Sequence, residues 1–113
     1  MSAVDYIELL KMRELIQHNA ASESYSYDAI LMPTVPIVAP AISSVVESDE
    51  FYHEANMLML RNCSIGNFLN RCAVTIPIQE PGSGPVGLML MGETMEDRKI
   101  LEIASGIQKA FEL

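Results

Sequence analysis

Apolar residues along this chain change period several times, and each change marks an element. Ser2-Ala3-Val4-Asp5 has the spacing of a capping box, an acid three residues after a hydroxyl cap. Val4, Ile7, Leu9, Met12, Leu15 and Ile16 then recur at helical spacing, which predicts a helix to about Asn19. The stretch ASESYSY, Ala21 to Tyr27, breaks the pattern with small polar residues and reads as a linker turn. DAILMP, 28–33, is a short unbroken apolar run ended by proline, the pattern of a strand buried on both faces. PTVPIVAPAI follows, and its prolines at 33, 36 and 40 exclude a helix and a central strand. It reads as a stiff extended loop, either lining a pocket beside the strand end or packed on the core.

From Glu54 to about Arg71 the helical period returns through Leu58, Arg61, Ile65 and Phe68, with Leu69 beside them. Gly66 inside this run costs about 1 kcal/mol relative to alanine, which points to a close approach by a neighbour. Ala73 to Ile78 is a β-branched strand, and VGLMLM, 86–91, is a second. The QEPGSGP between them is a Pro- and Gly-bounded loop of hairpin size. Thr94-Met95-Glu96-Asp97 repeats the capping-box spacing, and Ile100, Leu101, Ala104, Ile107 and Phe111 form one apolar face to the end. The order is helix, strand, loop, helix, strand, strand, helix, an α/β class.

At 113 residues the chain is expected to be a single domain, 1–113. Half of it is hydrophobic, yet a chain this short buries a smaller fraction of its surface than a large domain. Some apolar strand residues should therefore face a partner. Seven Lys and Arg against 15 Asp and Glu give a net charge of -8, which disfavours nucleic acid and anionic membrane as partners. No apolar run approaches the roughly 20 residues of a membrane span. The acid-bearing N-terminus is neither a secretory nor an organellar signal, and a cytoplasmic location is the expectation. Cys63 and Cys72 read as free thiols. Neither has metal-ligand spacing to His18 or His53, so no metal and no cofactor are expected.

Candidate nucleophiles fare poorly. Ser83 stands between glycines, but a nucleophile elbow needs Gly-x-Ser-x-Gly leading into a helix. Here Pro81-Gly82-Ser83-Gly84-Pro85 leads into a strand, and Pro85 removes a backbone N–H that an oxyanion hole would use. Cys63 sits mid-helix, with His53 ten residues earlier, and reads as a small buried hydrophobe. The acids of ESDE, 47–50, read as a solvated loop, and Glu96 and Asp97 as helix-dipole partners. The paired methionines (57 and 59, 89 and 91) read as core filler. Phosphate-binding glycine loops are absent.

The ordered set of segments is more telling than any one of them. YDAILMPTVPIVAPAI, then LRNCSIGNFLNRCAVTIPI, then PGSGPVGLMLMGETMEDRKILEIASGIQKAF resembles the C-terminal end of the amidase signature family. That family comprises serine amide hydrolases and the amidotransferase A subunit. The resemblance runs from about Tyr6 to Phe111. It implies a partial amidase-signature fold, a mixed sheet with helices on both faces. It also implies that the Lys–Ser–Ser triad lies upstream, because Lys11, Lys99 and Lys109 lack the signature context. No residue here inherits a catalytic role.

By the same resemblance Pro33, Thr34, Asn62, Cys63 and Asn67 lie near the acyl or leaving-group pocket, with Cys63 where the family often has threonine. For Asn67 a simpler reading is an amide that satisfies backbone groups at the helix-to-strand turn. The chain would supply sheet strands and part of a pocket for a small amide, complete only with the missing N-terminal amidase half. Strands cut from such a sheet expose edges, so self-association is the other expectation. The alternative function is a non-catalytic self-associating module with the same fold.

Overall fold

The structure is a computed structural model and describes residues 1–111. Helix α1 (Ala3–Ser24) starts at its expected capping box. Ser2 N–H donates to Asp5 Oδ2 at 2.6 Å, and Asp5 N–H donates to Ser2 Oγ at 3.2 Å. The Ser2 N–H bond to the ionised carboxylate, helped by the Ser2 hydroxyl, holds the Asp5 pKa below its ordinary value. The helix continues through Ala21 where a linker turn is expected. Ser24 Oγ lies 2.7 Å from Ala20 O, so the hydroxyl packs back on the last turn instead of breaking it.

Strand β1 (Ile30–Pro33) leads through the proline-rich loop into a short helix α2 (Ile42–Glu47), which the sequence did not announce. Helix α3 (Asp49–Leu69) follows at once. The expected solvated loop at 47–50 is thus a helix junction. Ser48 Oγ accepts from Phe51 N–H at 3.2 Å, and Asp49 and Glu50 occupy the first turn, where the helix dipole favours them. Asn70 ends α3 in the left-handed region, at φ 56°.

Strands β2 (Ala73–Pro77) and β3 (Gly87–Met91) form the expected hairpin. Among the described residues the sheet has three strands in the order β1-β3-β2, antiparallel throughout. Leu90 lies opposite Leu31 on one side and Val74 on the other, which fixes the faces. On the first face, Ile76 and Leu90 pack under Ile100 and Ala104 of helix α4 (Asp97–Phe111), forming the core. On the second face, Met89 and Met91 are buried. A Cβ added at Gly66 of α3 would stand 3.3 Å from Met91 Cε, so that glycine lets the helix close on the sheet.

The Thr94 capping box does not form. Thr94 Oγ1 donates instead to Asn70 O at 2.6 Å, and Met95 takes φ 66°, so α4 begins only at Asp97. A hydrogen bond to the end of α3 has replaced a local cap.

The two helices cover the sheet diagonally. Helix α4 lies over β2 and β3 on the first face. Helix α3 touches β1 and β3 on the second, through Asn62, Cys63 and Gly66. The first face is therefore bare over β1, where Leu31 is 55% exposed; β1 is not buried on both faces as its sequence suggests. The second face is bare over β2, where Ala73, Thr75 and Pro77 are exposed. Helix α1 rests mainly on α3, by hydrogen bonds from Arg13 and Gln17 to the Asn67 and Phe68 carbonyls. Its own apolar residues, Val4 to Ile16, stay exposed.

The result is a slab of 51 × 41 × 18 Å with a radius of gyration of 17.4 Å, against about 13 Å for a compact chain of this length. Its accessible surface is 8490 Å², whereas a compact monomer of this mass would expose about 6,200 Å².

Candidate functional site

Gly87 opens the site. It pairs with Pro77 of β2, and its carbonyl accepts from Thr34 N–H just beyond β1 at 2.9 Å. An added Cβ would lie 2.6 Å from both Thr34 Oγ1 and Thr75 Cγ2. With no side chain there, the two threonines lean together across β3, and Thr34 Oγ1 donates to Thr75 Oγ1 at 3.2 Å. Above them the second face carries an open groove of about 360 Å³. Thr34, Thr75, Met59, Pro77, Gln79 and Val86 are among its walls. The surface is mostly apolar, with the hydroxyl pair and one carboxamide as its polar groups, a composition suited to a small ligand with one polar end.

Of the five residues expected near a pocket, Thr34 lines this groove, and Pro33, Asn62 and Cys63 gather behind it. Asn62 is buried, and its Nδ2 donates to Pro33 O at 2.7 Å. Cys63 Sγ lies 3.8 Å from Thr34 O. Helix α3 thereby grips the Pro33-Thr34 turn from behind, while Thr34 faces the groove. Cys63 is exposed rather than buried, since it lies beside the Thr34 carbonyl at the open end of the sheet rather than under it. Asn67 stands apart. Its carbonyl accepts from Asn70 N–H at 3.3 Å and from Arg13 Nη2 at 3.2 Å. The helix-to-strand turn is thus closed by the Asn67 and Gly66 backbone carbonyls; among the described residues the Asn67 carboxamide has no hydrogen bond.

The sequence reading missed Met59, Thr75, Gln79 and Gly87. A glycine opening a strand is a signal for close approach, but nothing in Thr75 or Met59 marks them as neighbours. It also missed a polar knot at the other end of the sheet. Arg71 Nη2 lies 2.8 Å from Glu93 Oε1 and donates to Ser24 Oγ at 2.6 Å, while Ser24 Oγ donates to Glu93 Oε1 at 2.6 Å. The Arg71 side chain is 3% exposed. This knot ties the end of α1, the end of α3 and the exit of β3 to one another.

The candidate nucleophiles are tied up or isolated. Ser83 Oγ donates back into its own loop, to Glu80 O at 2.8 Å. Lys99 sits between Asp28 and Glu96, at 3.4 and 3.5 Å. Desolvation pulls its pKa down, but those two carboxylates outweigh it and hold the ammonium above its ordinary value. Among the described residues no three His, Cys, Asp or Glu side chains cluster as metal ligands, and no helix is long and apolar enough to cross a membrane.

The family model described as Amidase matches residues 1–101. The chain belongs to the amidase family. It is 33% identical over 109 residues to 2-amino-5-chloromuconic acid deaminase of Comamonas testosteroni, covering 93% of this chain and 23% of that protein. It is 33% identical over 108 residues to the A subunit of glutamyl-tRNA(Gln) amidotransferase from Sulfurisphaera tokodaii, covering 96% of this chain and 22% of the relative. The crystal structure of the corresponding Thermotoga maritima protein superposes with a TM-score of 0.70 at 26% identity, over 92% of this chain and 22% of that one. The chain therefore spans about a fifth of the length of the relatives it matches. The α/β architecture of the amidase family is present in that fifth.

Proposed function

We propose that this chain is the C-terminal segment of an amide hydrolase, without the Lys–Ser–Ser triad, and that it supplies sheet strands and part of the substrate pocket. The observation that carries this reading is the groove at Gly87, walled on one side and open on the other. In the complete enzyme the reaction is acyl transfer from a small amide to a serine and then to water. Thr34 and the hydroxyl of Thr75 would line the pocket, Asn62 and Cys63 would hold the Pro33-Thr34 turn from behind, and Asn67 would act at the end of the same helix. The missing N-terminal amidase half would bring the nucleophile, and the location of the whole would be cytoplasmic.

Ammonia release from a panel of small amides tests this, with circular dichroism on the same sample. Folded protein without release is the expected result. Turnover that survives rigorous purification overturns it and makes Cys63→Ala the next variant to build.

A second reading, a non-catalytic self-associating module, is favoured by one specific feature, the large accessible surface with its bare sheet ledges. Equilibrium sedimentation tests it. A defined closed oligomer supports the module, and heterogeneous aggregation supports the isolated hydrolase segment.

A further inference from the structure

The sheet has two outer strands, and they differ in how well they are sealed. Thr34 N–H bonds Gly87 O on the β1 side, while Ile78 N–H bonds Val86 O on the β2 side. Antiparallel ladders alternate, so Leu31 and Pro33 turn their backbones outward from β1, and Ala73, Thr75 and Pro77 turn theirs outward from β2.

On β1 this edge is closed at both ends. Pro33 has no N–H and its carbonyl is taken by Asn62 at 2.7 Å, while the Asp28–Lys99 ion pair sits just before the strand. On β2 Pro77 likewise lacks an N–H and the Arg71–Glu93 ion pair sits just before the strand, but among the described residues no side chain takes an outward carbonyl. The N–H and C=O groups of Ala73 and Thr75 have no partner outside the ladder, no charged residue lies in Ala73–Pro77, and the outward residues are exposed. Proteins ordinarily protect such an edge with charge, bulge or cover.

We propose that the β2 edge pairs with the β2 edge of a second copy of this chain, antiparallel about a two-fold axis at Thr75. The strand is self-complementary in that register. Thr75 exchanges both its backbone bonds with its counterpart, and Ala73 N–H of each copy reaches the Pro77 carbonyl of the other. Pro77 offers no N–H, so the pairing stops there and cannot propagate along the strand. The sheet becomes continuous, in the order β1-β3-β2-β2-β3-β1. A two-fold normal to the sheet keeps both grooves on one face, flanking the seam, with Thr75 and Pro77 belonging to both groove and interface.

A second copy is the occupant because the outward donors and acceptors of Ala73 and Thr75 and the outward carbonyl of Pro77 match one another across the two-fold. Each copy carries a net charge of -8, so the dimer is strengthened by added salt, which screens the repulsion between copies. The proposal rests on the self-associating reading and is independent of amide turnover, whose presence or absence leaves it untouched.

Sedimentation of the 12.5 kDa chain tests it. The expected result is a doubling of mass at micromolar concentration, with the dimer fraction rising with salt. Thr75→Lys and Thr75→Glu each place like charges opposite one another at the two-fold and are expected to return the monomer mass. An equimolar mixture of the two variants is expected to restore the dimer. That mixture also guards against misfolding, since a variant that failed to fold would not be rescued by its partner. Circular dichroism of each variant alone provides a second check. A parent chain that stays monomeric, or a dimer indifferent to both substitutions, overturns the proposal. Assembly only with an added polypeptide, the rest of an amidase chain for example, overturns it as well.

Discussion

Replacing Gly87 by alanine is the most direct probe of how the groove is built. The new methyl would stand 2.6 Å from Thr34 Oγ1 and from Thr75 Cγ2, and 3.2 Å from Thr34 Cβ. Non-bonded carbon contacts are comfortable at about 3.5–4.0 Å, so each overlap is on the order of 1 Å. The two threonines flank the site from opposite sides and are bonded to each other, so neither can retreat without parting from the other. Overpacking of this kind costs about 1–3 kcal/mol. The gain from replacing a strand glycine, about 0.5–1 kcal/mol, offsets part of that. A net loss of about 1–2 kcal/mol corresponds to a fall in Tm of roughly 5–15 °C for a domain of this size.

Thermal unfolding followed by circular dichroism, at one fixed protein concentration, measures the fall. Adding Thr75→Ser to Gly87→Ala removes one of the two clashing groups and should recover part of it. Gly106 in α4 is the control. An added Cβ there meets nothing within 4 Å, so Gly106→Ala should stabilise by up to about 1 kcal/mol. A Gly87→Ala protein that melts at or above the parent temperature refutes the account of the groove.

Three further outcomes are expected. Arg71→Met leaves Glu93 and Ser24 without their shared donor, and since Glu93 is only 35% exposed the loss should be about 2 kcal/mol in urea unfolding; unchanged stability would mean that the knot is dispensable. Asn62→Ala orphans the Pro33 carbonyl, with an expected loss of about 1–3 kcal/mol and faster amide exchange at Thr34, whereas parental stability and exchange in that variant would show that α3 does not hold the turn. The Asp5 carboxyl has its pKa lowered by its bonds to Ser2, so the stabilisation it gives the start of α1 is present above the ordinary aspartate range and is lost as pH falls through and below it. NMR of the first-turn amides at decreasing pH should show fraying that Asp5→Asn shows already at neutral pH.

The errors in reading the elements share one cause. Ala21 to Ser24 looked like a turn because small polar residues favour turns, yet Ser24 found a donor in Arg71 and an acceptor in Glu93. Thr94 had the spacing of a cap, yet Asn70 O at the end of α3 offered it a bond. In both places a long-range partner displaced a local preference. The site shows the same division. Pro33, Thr34, Asn62 and Cys63 could be named together because the family's order of motifs is written along the chain, and the structure brings them into contact. Thr75 could not be named with them, because what makes it a neighbour of Thr34 is the pairing of β3 with β1 on one side and β2 on the other. Nor could Met59, because only the seating of α3 on the sheet brings it to the groove.

The sequence by itself determined what is local: the capping box at Ser2, the break at Pro33, the glycine-rich hairpin, the apolar face of α4 and the membership of the amidase family. Backbone periodicity and turn chemistry act over a few residues, so they can be read without knowing what lies across the core. Only the tertiary structure decided the strand order, the diagonal cover that leaves Leu31 and Thr75 bare, and the joining of Ser24, Arg71 and Glu93. Those depend on which distant surfaces exclude water together, and burial is a property of the assembled layers rather than of any segment.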